Sequence, residues 1–395
     1  MTLIGQQVTV LGAGVAGLAV ARALALRGAV VTVLEQADAI REVGAGLQVS
    51  PNGAAVLRAL GLAAELEARS TRAAAVELKD GFTGDRLLRL DLAALRPGKG
   101  YHFVHRADLI ALLANGARAA GVEIRLLQKV TGVRLDGDKP VVSTAQGDRE
   151  ADLLIGADGL HSATRIALTG KVAPYFTRQV AWRALIPCAP GAAAVAEVHL
   201  GPGRHLVSYP LRGGTQRNIV AVEERSRWTE ESWSLRDDPV DLRLAFAEFS
   251  PMVRDWLDQV QDVWLWGLFR HPVARLWQRA TPRGGVAILG DAAHPTLPFL
   301  AQGASMALED AWVLAAALAG HDGLAAGLAA YQAARIDRAS RVVAAANGNA
   351  RAYHLRGLPR ALAHAGLRLG GALAPGLALR RFDWLYDHDV TVGPK

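Results

Sequence analysis

Apolar positions follow two rhythms along this chain, and their alternation outlines the architecture. Residues 6–11 (Gln-Gln-Val-Thr-Val-Leu) form a short apolar run that stops at glycine. Residues 15–27 space Ala and Leu as a helix does, Gly28 supplies the stop, and residues 29–34 (Ala-Val-Val-Thr-Val-Leu) form a second apolar run ending at Glu35. Strand, helix and strand in that order make a parallel βαβ unit, since a helical crossover is what a parallel pair needs. Helical spacing returns over 51–68, opened by Ser50-Pro51 as a cap and a first-turn proline, and again over 107–120. Residues 73–90 alternate around the turn signal Lys79-Asp80-Gly81, which marks an excursion into a second sheet. Residues 122–148 predict short strands with a turn at Asp136-Gly137, and Asp152–Ile155 predicts a buried strand. From 172 to 270 the pattern is β-rich with tight turns such as Arg212-Gly213-Gly214, interrupted by a helical stretch at 239–258. Residues 286–289 (Val-Ala-Ile-Leu) return to buried strand, helices follow to about 350, and the tail is less regular.

This order predicts an α/β fold: a Rossmann-like nucleotide domain with an inserted β-sheet domain and C-terminal helices. The nucleotide domain is discontinuous, built from 1–72, 101–170 and 276–330. The insertions 73–100 and 171–275 form the substrate sheet, and 331–395 a helical segment. A length of 395 residues suits about two domains, and 51% hydrophobic with 21% charged residues excludes a disordered chain.

The formal charge of +7 and sequence pI near 9.8 suit anionic ligands. The arginines are dispersed, with no basic run interleaved with aromatics, which argues against a nucleic-acid partner. Cys188 is the single cysteine, so one chain holds no disulfide framework or cysteine-based zinc site, as expected of a cytoplasmic protein; it reads as a small core residue. His102 and His105, three apart on a strand, face opposite ways, and no metal site is expected. The N-terminus enters a strand without a basic-then-apolar leader. The Ala/Leu-rich stretch 311–330 is broken by His321, Asp322 and Gly323, so it predicts a buried helix and not a membrane span. Monomer and homodimer both remain open.

The chemistry starts at Gly12-Ala13-Gly14-Val15-Ala16-Gly17, with Glu35 eighteen residues after Gly17. Gly12 permits a tight turn, Gly14 lets backbone approach a pyrophosphate, and Gly17 lets the helix pack closely on the strand. The helix N-terminus faces the phosphates, and Glu35 can accept hydrogen bonds from ribose hydroxyls. Two more segments carry glycine and acid together. They are Ile155-Gly156-Ala157-Asp158-Gly159, and Gly290-Asp291-Ala292-Ala293-His294-Pro295 followed by Pro298 and Ala301-Gln302-Gly303-Ala304.

Together these segments resemble the single-component FAD-dependent aromatic hydroxylases, the group of p-hydroxybenzoate, salicylate, 3-hydroxybenzoate and 6-hydroxynicotinate hydroxylases. The resemblance covers nearly the whole chain. It implies non-covalent FAD, NADH or NADPH as a transient co-substrate, dioxygen, and transfer of oxygen from a C4a-hydroperoxyflavin to a small phenolic or heteroaromatic acid. In that family Asp291, beside Gly290, would bind a ribityl hydroxyl, and the helix from Gly303-Ala304 would aim its positive end at the flavin N1/C2=O edge. Asp158-Gly159 would serve FAD and the nicotinamide, Arg106 the FAD phosphates or ribityl chain, and the segment holding Arg41 and Gln48 the adenosine and flavin. Gln302 and Pro298 would lie beside the flavin over the substrate. No second GxGxxG appears, as expected if the nicotinamide docks transiently.

The run Gly203-Arg204-His205-Leu206-Val207-Ser208-Tyr209-Pro210 predicts a strand with His205, Val207 and Tyr209 on one face. A phenol must lose its proton to become an effective nucleophile, and a His–Tyr pair can take that proton or hold the phenolate. An amide such as Gln302 can only hydrogen-bond or orient water. Trp182-Arg183 reads either as a substrate contact or as a core tryptophan beside a structural arginine. Two other readings stand: the same scaffold doing epoxidation, quinone-precursor hydroxylation or oxidase chemistry, and a redox-silent flavin-binding regulator.

Overall fold

A computed structural model describes residues 3–40, 45–189, 191–226 and 235–392. Arg41 falls outside the described residues. The first apolar runs form the centre of a six-stranded sheet in the order Gln278–Thr281, Gly284–Ile288, Leu153–Gly156, Gln7–Leu11, Val30–Leu34 and Glu123–Arg125. All neighbours pair parallel except the antiparallel edge strand Gln278–Thr281. A parallel sheet has helices on both faces, which is why its strands are continuously apolar. Val10, Val33, Leu154, Ile155 and Val286 are fully buried. The helices Val15–Ala25, Arg106–Ala119 and Gly303–Gly320 help to cover it.

The two excursions join in one eight-stranded sheet: Arg236–Asp237, Val263–Arg270, Tyr175–Pro187, Gln216–Glu224, Arg204–Leu211, Val195–Gly201, Ala75–Asp80 and Arg86–Asp91. Its pairings are antiparallel except that between Val195–Gly201 and Ala75–Asp80. Period-two alternation sorts its side chains onto two faces. On the outer face Val180, Trp182, Leu206, Ile219 and Ala221 pack against Leu242, Val253 and Leu257 of two short helices and against Phe246, which ends the first of them. On the inner face Ala181, Val222, Trp266 and Leu268 pack against Leu297, Phe299 and Ala350. A small sheet of Gly46–Val49, His102–His105 and Ser70–Arg72 supports this inner face at Phe103, whose ring lies 5.0 Å from that of Tyr209.

Several expectations are corrected. The helix expected over 51–68 is two, Pro51–Ala59 and Ala63–Arg69, parted where Gly61 takes φ +73°. Ser50 precedes the first of these, but its hydroxyl does not cap it; it bonds Asn52 and Ser305 instead. The stretch 239–258 likewise splits, into Pro239–Ala245 and Pro251–Asp258. The C-terminal segment is helical as expected, and its less regular pattern reflects breaks between Gly357–Leu373, Pro375–Arg380 and Asp383–Tyr386. Cys188 is half-buried just beyond its strand and is not a core residue. Among the described residues no helix is long and apolar enough to cross a membrane.

Candidate active site

Three glycine-bearing turns meet at the C-terminal ends of the parallel strands. Gly12 has φ +96°, and a Cβ there would lie 2.6 Å from the Ala157 carbonyl oxygen. A Cβ on Gly17 would lie 1.9 Å from the Gly12 carbonyl oxygen, so the helix can close on the strand only through glycine. Gly290, at φ +60°, would meet the Ala16 Cβ at 2.9 Å. The first turn therefore touches both of the others. Gly14 and Gly159 have nothing within 4 Å of a notional Cβ, so their backbone faces open space. Gly14 also precedes the first turn of helix Val15–Ala25, whose free N–H groups point the same way.

Glu35 follows strand Val30–Leu34 and closes the nucleotide turn from the side. Its Oε2 accepts from the Ala13 N–H at 2.7 Å and its Oε1 from the Ala37 N–H at 2.9 Å. Each oxygen keeps a second lone pair for a ligand hydroxyl. Asp158 is turned inward. It accepts from the Ser162 hydroxyl at 2.5 Å and from the Thr164 N–H and hydroxyl at 3.1 Å. Its side chain thus braces its own turn and the start of helix Ala163–Thr169, while Gly159 lies bare beside it. Burial raises the Asp158 carboxyl, and these donors partly offset that.

Asp291 lines the cleft with its carboxylate reachable by solvent, although protein closes around it on most sides. Burial pushes its carboxyl up, tempered by that access; the charges of His294, Arg106 and His271 draw it back. Arg106, the first residue of helix Arg106–Ala119, is therefore close enough to act on Asp291, and its own N–H bonds the Ala45 carbonyl at 2.9 Å. His105 caps the same helix through Nδ1, at 3.2 Å from the Ala107 N–H, and His102 turns to Ser70.

Beneath the 290 turn lies a buried polar network that the motifs did not foretell. Asp310 Oδ2 accepts from the Gly290 N–H at 3.0 Å and meets His294 Nε2 at 2.5 Å, while Oδ1 meets Arg335 Nε at 2.7 Å. Arg335 also donates to Glu309 at 2.6 Å, and Arg338 and Asn52 complete the Glu309 carboxylate. Burial opposes ionisation of both acids, yet His294 and Arg335 for Asp310, and Arg335, Arg338 and Asn52 for Glu309, hold them below the usual carboxylate range. The network reaches Gln302, which precedes helix Gly303–Gly320. Its amide accepts from Asn52 at 3.1 Å and donates to the Ser50 hydroxyl at 2.9 Å. Gln302 is thereby fixed, and Gly303 and Ala304 form the first turn after it. Pro298 opens the short turn Pro298–Leu300, and Ala301 follows in a left-handed conformation, φ +52°. Arg338 further donates to the Trp384 and Leu385 carbonyls, which ties the C-terminal helices to this turn.

His205 and Tyr209 stand on strand Arg204–Leu211, on the inner face. The His205 ring lies 5.6 Å from Phe299 in the 298 turn and 5.1 Å from Tyr353. Burial holds its imidazole well below its ordinary range, so the ring is neutral. Burial pushes the Tyr209 phenol up, against the opposing pull of the Arg183 charge and the Gln48 hydrogen bond. Gln48 also accepts from the Tyr101 hydroxyl at 2.6 Å, so among the described residues its amide serves this aromatic cluster. Trp182 is fully buried on the outer face and bonds Asp237 at 2.6 Å; Arg183 points to the inner face, 3.8 Å from the Trp266 ring. Sequence reasoning missed Tyr101, Phe103, Asn218 and His354. Asn218 accepts from the Gly46 N–H at 2.7 Å and His354 bonds His205 at 2.7 Å.

The donor set fits a flavin dinucleotide. It offers a phosphate seat without a Cβ at Gly14, a carboxylate at a strand end in Glu35, and a solvent-reachable carboxylate beside an arginine in Asp291. A helix N-terminus at Gly303 completes it. Residues 6–346 match the FAD binding domain family. The chain is 35% identical over 367 residues to a 3-amino-4-hydroxybenzoate 2-monooxygenase of Streptomyces platensis, covering 90% of each. It is 36% identical over 363 residues to a 3-hydroxybenzoate 6-hydroxylase of Klebsiella oxytoca, covering 89% of each. Among solved structures, Klebsiella pneumoniae HpxO complexed with FAD and uric acid superposes with a TM-score of 0.82 at 27% identity, over 98% of this chain and 97% of that one. Motifs, fold and relatives agree: the chain belongs to the FAD binding domain family and is a FAD-dependent aromatic monooxygenase.

Proposed function

We propose that the protein hydroxylates a small phenolic or heteroaromatic carboxylic acid, with NADH or NADPH as transient reductant and dioxygen as oxidant. One observation carries this reading: a buried histidine, a buried tyrosine and an arginine share the inner face of the substrate sheet, opposite the 298 turn. The two relatives described above are named for hydroxylated benzoates, whose phenol and carboxylate match such a face.

FAD supplies the chemistry that activates oxygen. The residues do the rest. Gly12, Gly14, Ala16, Gly17 and Glu35 hold the adenosine diphosphate part. Asp291, Gly290 and Arg106 hold the ribityl chain, and Gly159 borders the flavin with Asp158 stiffening its turn. The first turn of helix Gly303–Gly320, with Ala304, stabilises negative charge on the ring system. Gln302 and Pro298 shape the wall between ring and substrate. Arg183 takes the substrate carboxylate, His205 Nε2 accepts the phenolic proton, and the Tyr209 hydroxyl hydrogen-bonds the phenolate. The tight inner sheet excludes water from the oxygen transfer. We infer that 1–72, 101–170 and 276–330 form the FAD domain, 73–100 and 171–275 the substrate domain, and 331–395 a helical brace. With a lone cysteine, the enzyme suits the reducing cytoplasm as a monomer or homodimer.

The test is a panel of aromatic acids screened for stimulated NADH and NADPH oxidation, with products identified by mass spectrometry. His205→Ala and Tyr209→Phe should keep FAD and stimulated oxidation, but yield less product and more hydrogen peroxide per reductant. The hydroxylation step should slow by roughly 10²–10⁴-fold for His205→Ala. Full coupling at normal rate in both variants would make the pair structural.

A further inference from the structure

His205 is the inner end of a line of three side chains that runs to the surface. His205 Nδ1 lies 2.7 Å from His354 Nε2, and His354 Nδ1 lies 3.0 Å from Glu224 Oε1. His205 and His354 are 2% and 5% exposed, while the Glu224 side chain is 40% exposed at the end of its strand. The contributing segments are strand Arg204–Leu211, the residue after helix Leu324–Tyr353, and strand Gln216–Glu224.

We propose that Glu224 and His354 are positioning residues that fix the tautomer of His205 and carry its acquired proton to solvent. This rests on the reading of His205 as the proton acceptor. The argument is one of donor and acceptor bookkeeping. An ionised carboxylate can only accept, so the proton in the outer bond must sit on His354 Nδ1. A neutral imidazole has one N–H, so His354 Nε2 is then an acceptor. His205 must donate to it from Nδ1, which leaves His205 Nε2 bare. The surface carboxylate thus dictates that the buried ring presents a lone pair as its second site.

Neighbouring charges support this arrangement. Partial burial raises the Glu224 carboxyl, but Arg356, at 2.9 Å, and His354 hold it below the usual range. Burial, with Arg356 and Arg204, discourages a standing charge on His354 against the pull of Glu224. With a proton on His354 Nδ1, the Gln179 amide, 3.3 Å away, must face it through its oxygen. Against His205 itself lie His354, Phe299 and Tyr353. When a phenol O–H gives its proton to His205 Nε2, the Nδ1 proton passes to His354 Nε2. The His354 Nδ1 proton passes to Glu224 and then to water. One proton enters at His205 Nε2 and one leaves at Glu224, so both rings end protonated at Nε2. The resting tautomers return when the line runs in reverse, one proton entering from solvent at Glu224 and His205 Nε2 returning one to the product phenolate.

The test uses oxidised, FAD-loaded enzyme with 3-hydroxy-4-nitrobenzoate as a chromophoric probe, without turnover. Stopped-flow absorbance reads phenolate formation across pH. A second measurement records ¹⁵N spectra of histidine-labelled enzyme without probe. Glu224→Gln and His354→Gln should retain FAD and bind the probe normally, but form phenolate about 10–100-fold more slowly. Glu224→Asp should restore most of the rate. The spectra should show His205 protonated at Nδ1 in the wild type and as a tautomer mixture in Glu224→Gln. Wild-type rates and pH profiles in both Gln variants, or a His205 protonated at Nε2, would overturn the relay. If the wild type ionises no phenolic acid at all, the hydroxylase reading has failed on its own account, and the ¹⁵N spectra still decide the relay.

Discussion

Replacing Arg335 by methionine tests whether the buried network under the 290 turn holds the flavin site together. Arg335 is fully buried and contacts Asp310 at 2.7 Å and Glu309 at 2.6 Å, both also fully buried. Removing one partner of such a pair costs about 3–5 kcal/mol, because the stranded carboxylate has lost its bulk water as well. Here Glu309 keeps Arg338 and Asn52, and Asp310 keeps His294 and the Gly290 N–H, so the lower end, about 3 kcal/mol, is expected. The pH dependence supplies a second, sharper reading. Both acids have folded-state pKa values below their ordinary ones. Their contribution is therefore complete above the unfolded values, about 3.9 and 4.3, and is lost as pH falls through the folded ones. Protonated acids do not need the guanidinium. The gap between wild type and variant should be full at pH 7 and narrow below about pH 4. Urea unfolding followed by tryptophan fluorescence and flavin release, repeated from pH 7 to 3, measures it. A gap under about 1 kcal/mol at pH 7, or one constant across that range, would show that the network does not carry the assigned load.

Asp291→Ala should weaken FAD binding by about 1.5–3 kcal/mol, or roughly 10- to 150-fold, in fluorescence titration of deflavinated protein, and unchanged affinity would remove it from the cofactor site. Gly17→Ala should leave the protein colourless and poorly folded because the added Cβ has 1.9 Å to a backbone oxygen. Gly14→Ala, with open space at that point, should fold and bind FAD less well. Equal flavin content in the two glycine variants would contradict the turn geometry.

Local pattern made the nucleotide half legible. The glycines, Glu35 and the apolar runs lie within one βαβ unit, where backbone sterics and strand periodicity act over a few residues. The sidedness of His205, Val207 and Tyr209 was legible for the same reason. The polar network was hidden because Asn52, Gln302, Glu309 and Arg335 are distant in sequence, and each alone resembles a solvated residue. A signal was available: Glu309 and Asp310 stand side by side in an otherwise apolar helix, and charges in such a place must be paired. His354 carried no such signal. It lies 149 residues from His205, and only the return of the long helix to the substrate sheet brings them together.

The order of strands in the parallel sheet has a consequence for synthesis. Leu153–Gly156 pairs on one side with Gln7–Leu11, already made, and on the other with Gly284–Ile288, which the ribosome has yet to produce. Residues 157–283 separate the two, so most of the substrate sheet emerges before the second partner does. At 5–20 residues per second the wait is roughly 6–26 s. For that time an apolar strand edge has no neighbour on that side, and the strands of the inserted sheet must be made before the first sheet can close. That unpaired edge is an aggregation hazard of synthesis that the finished fold no longer shows.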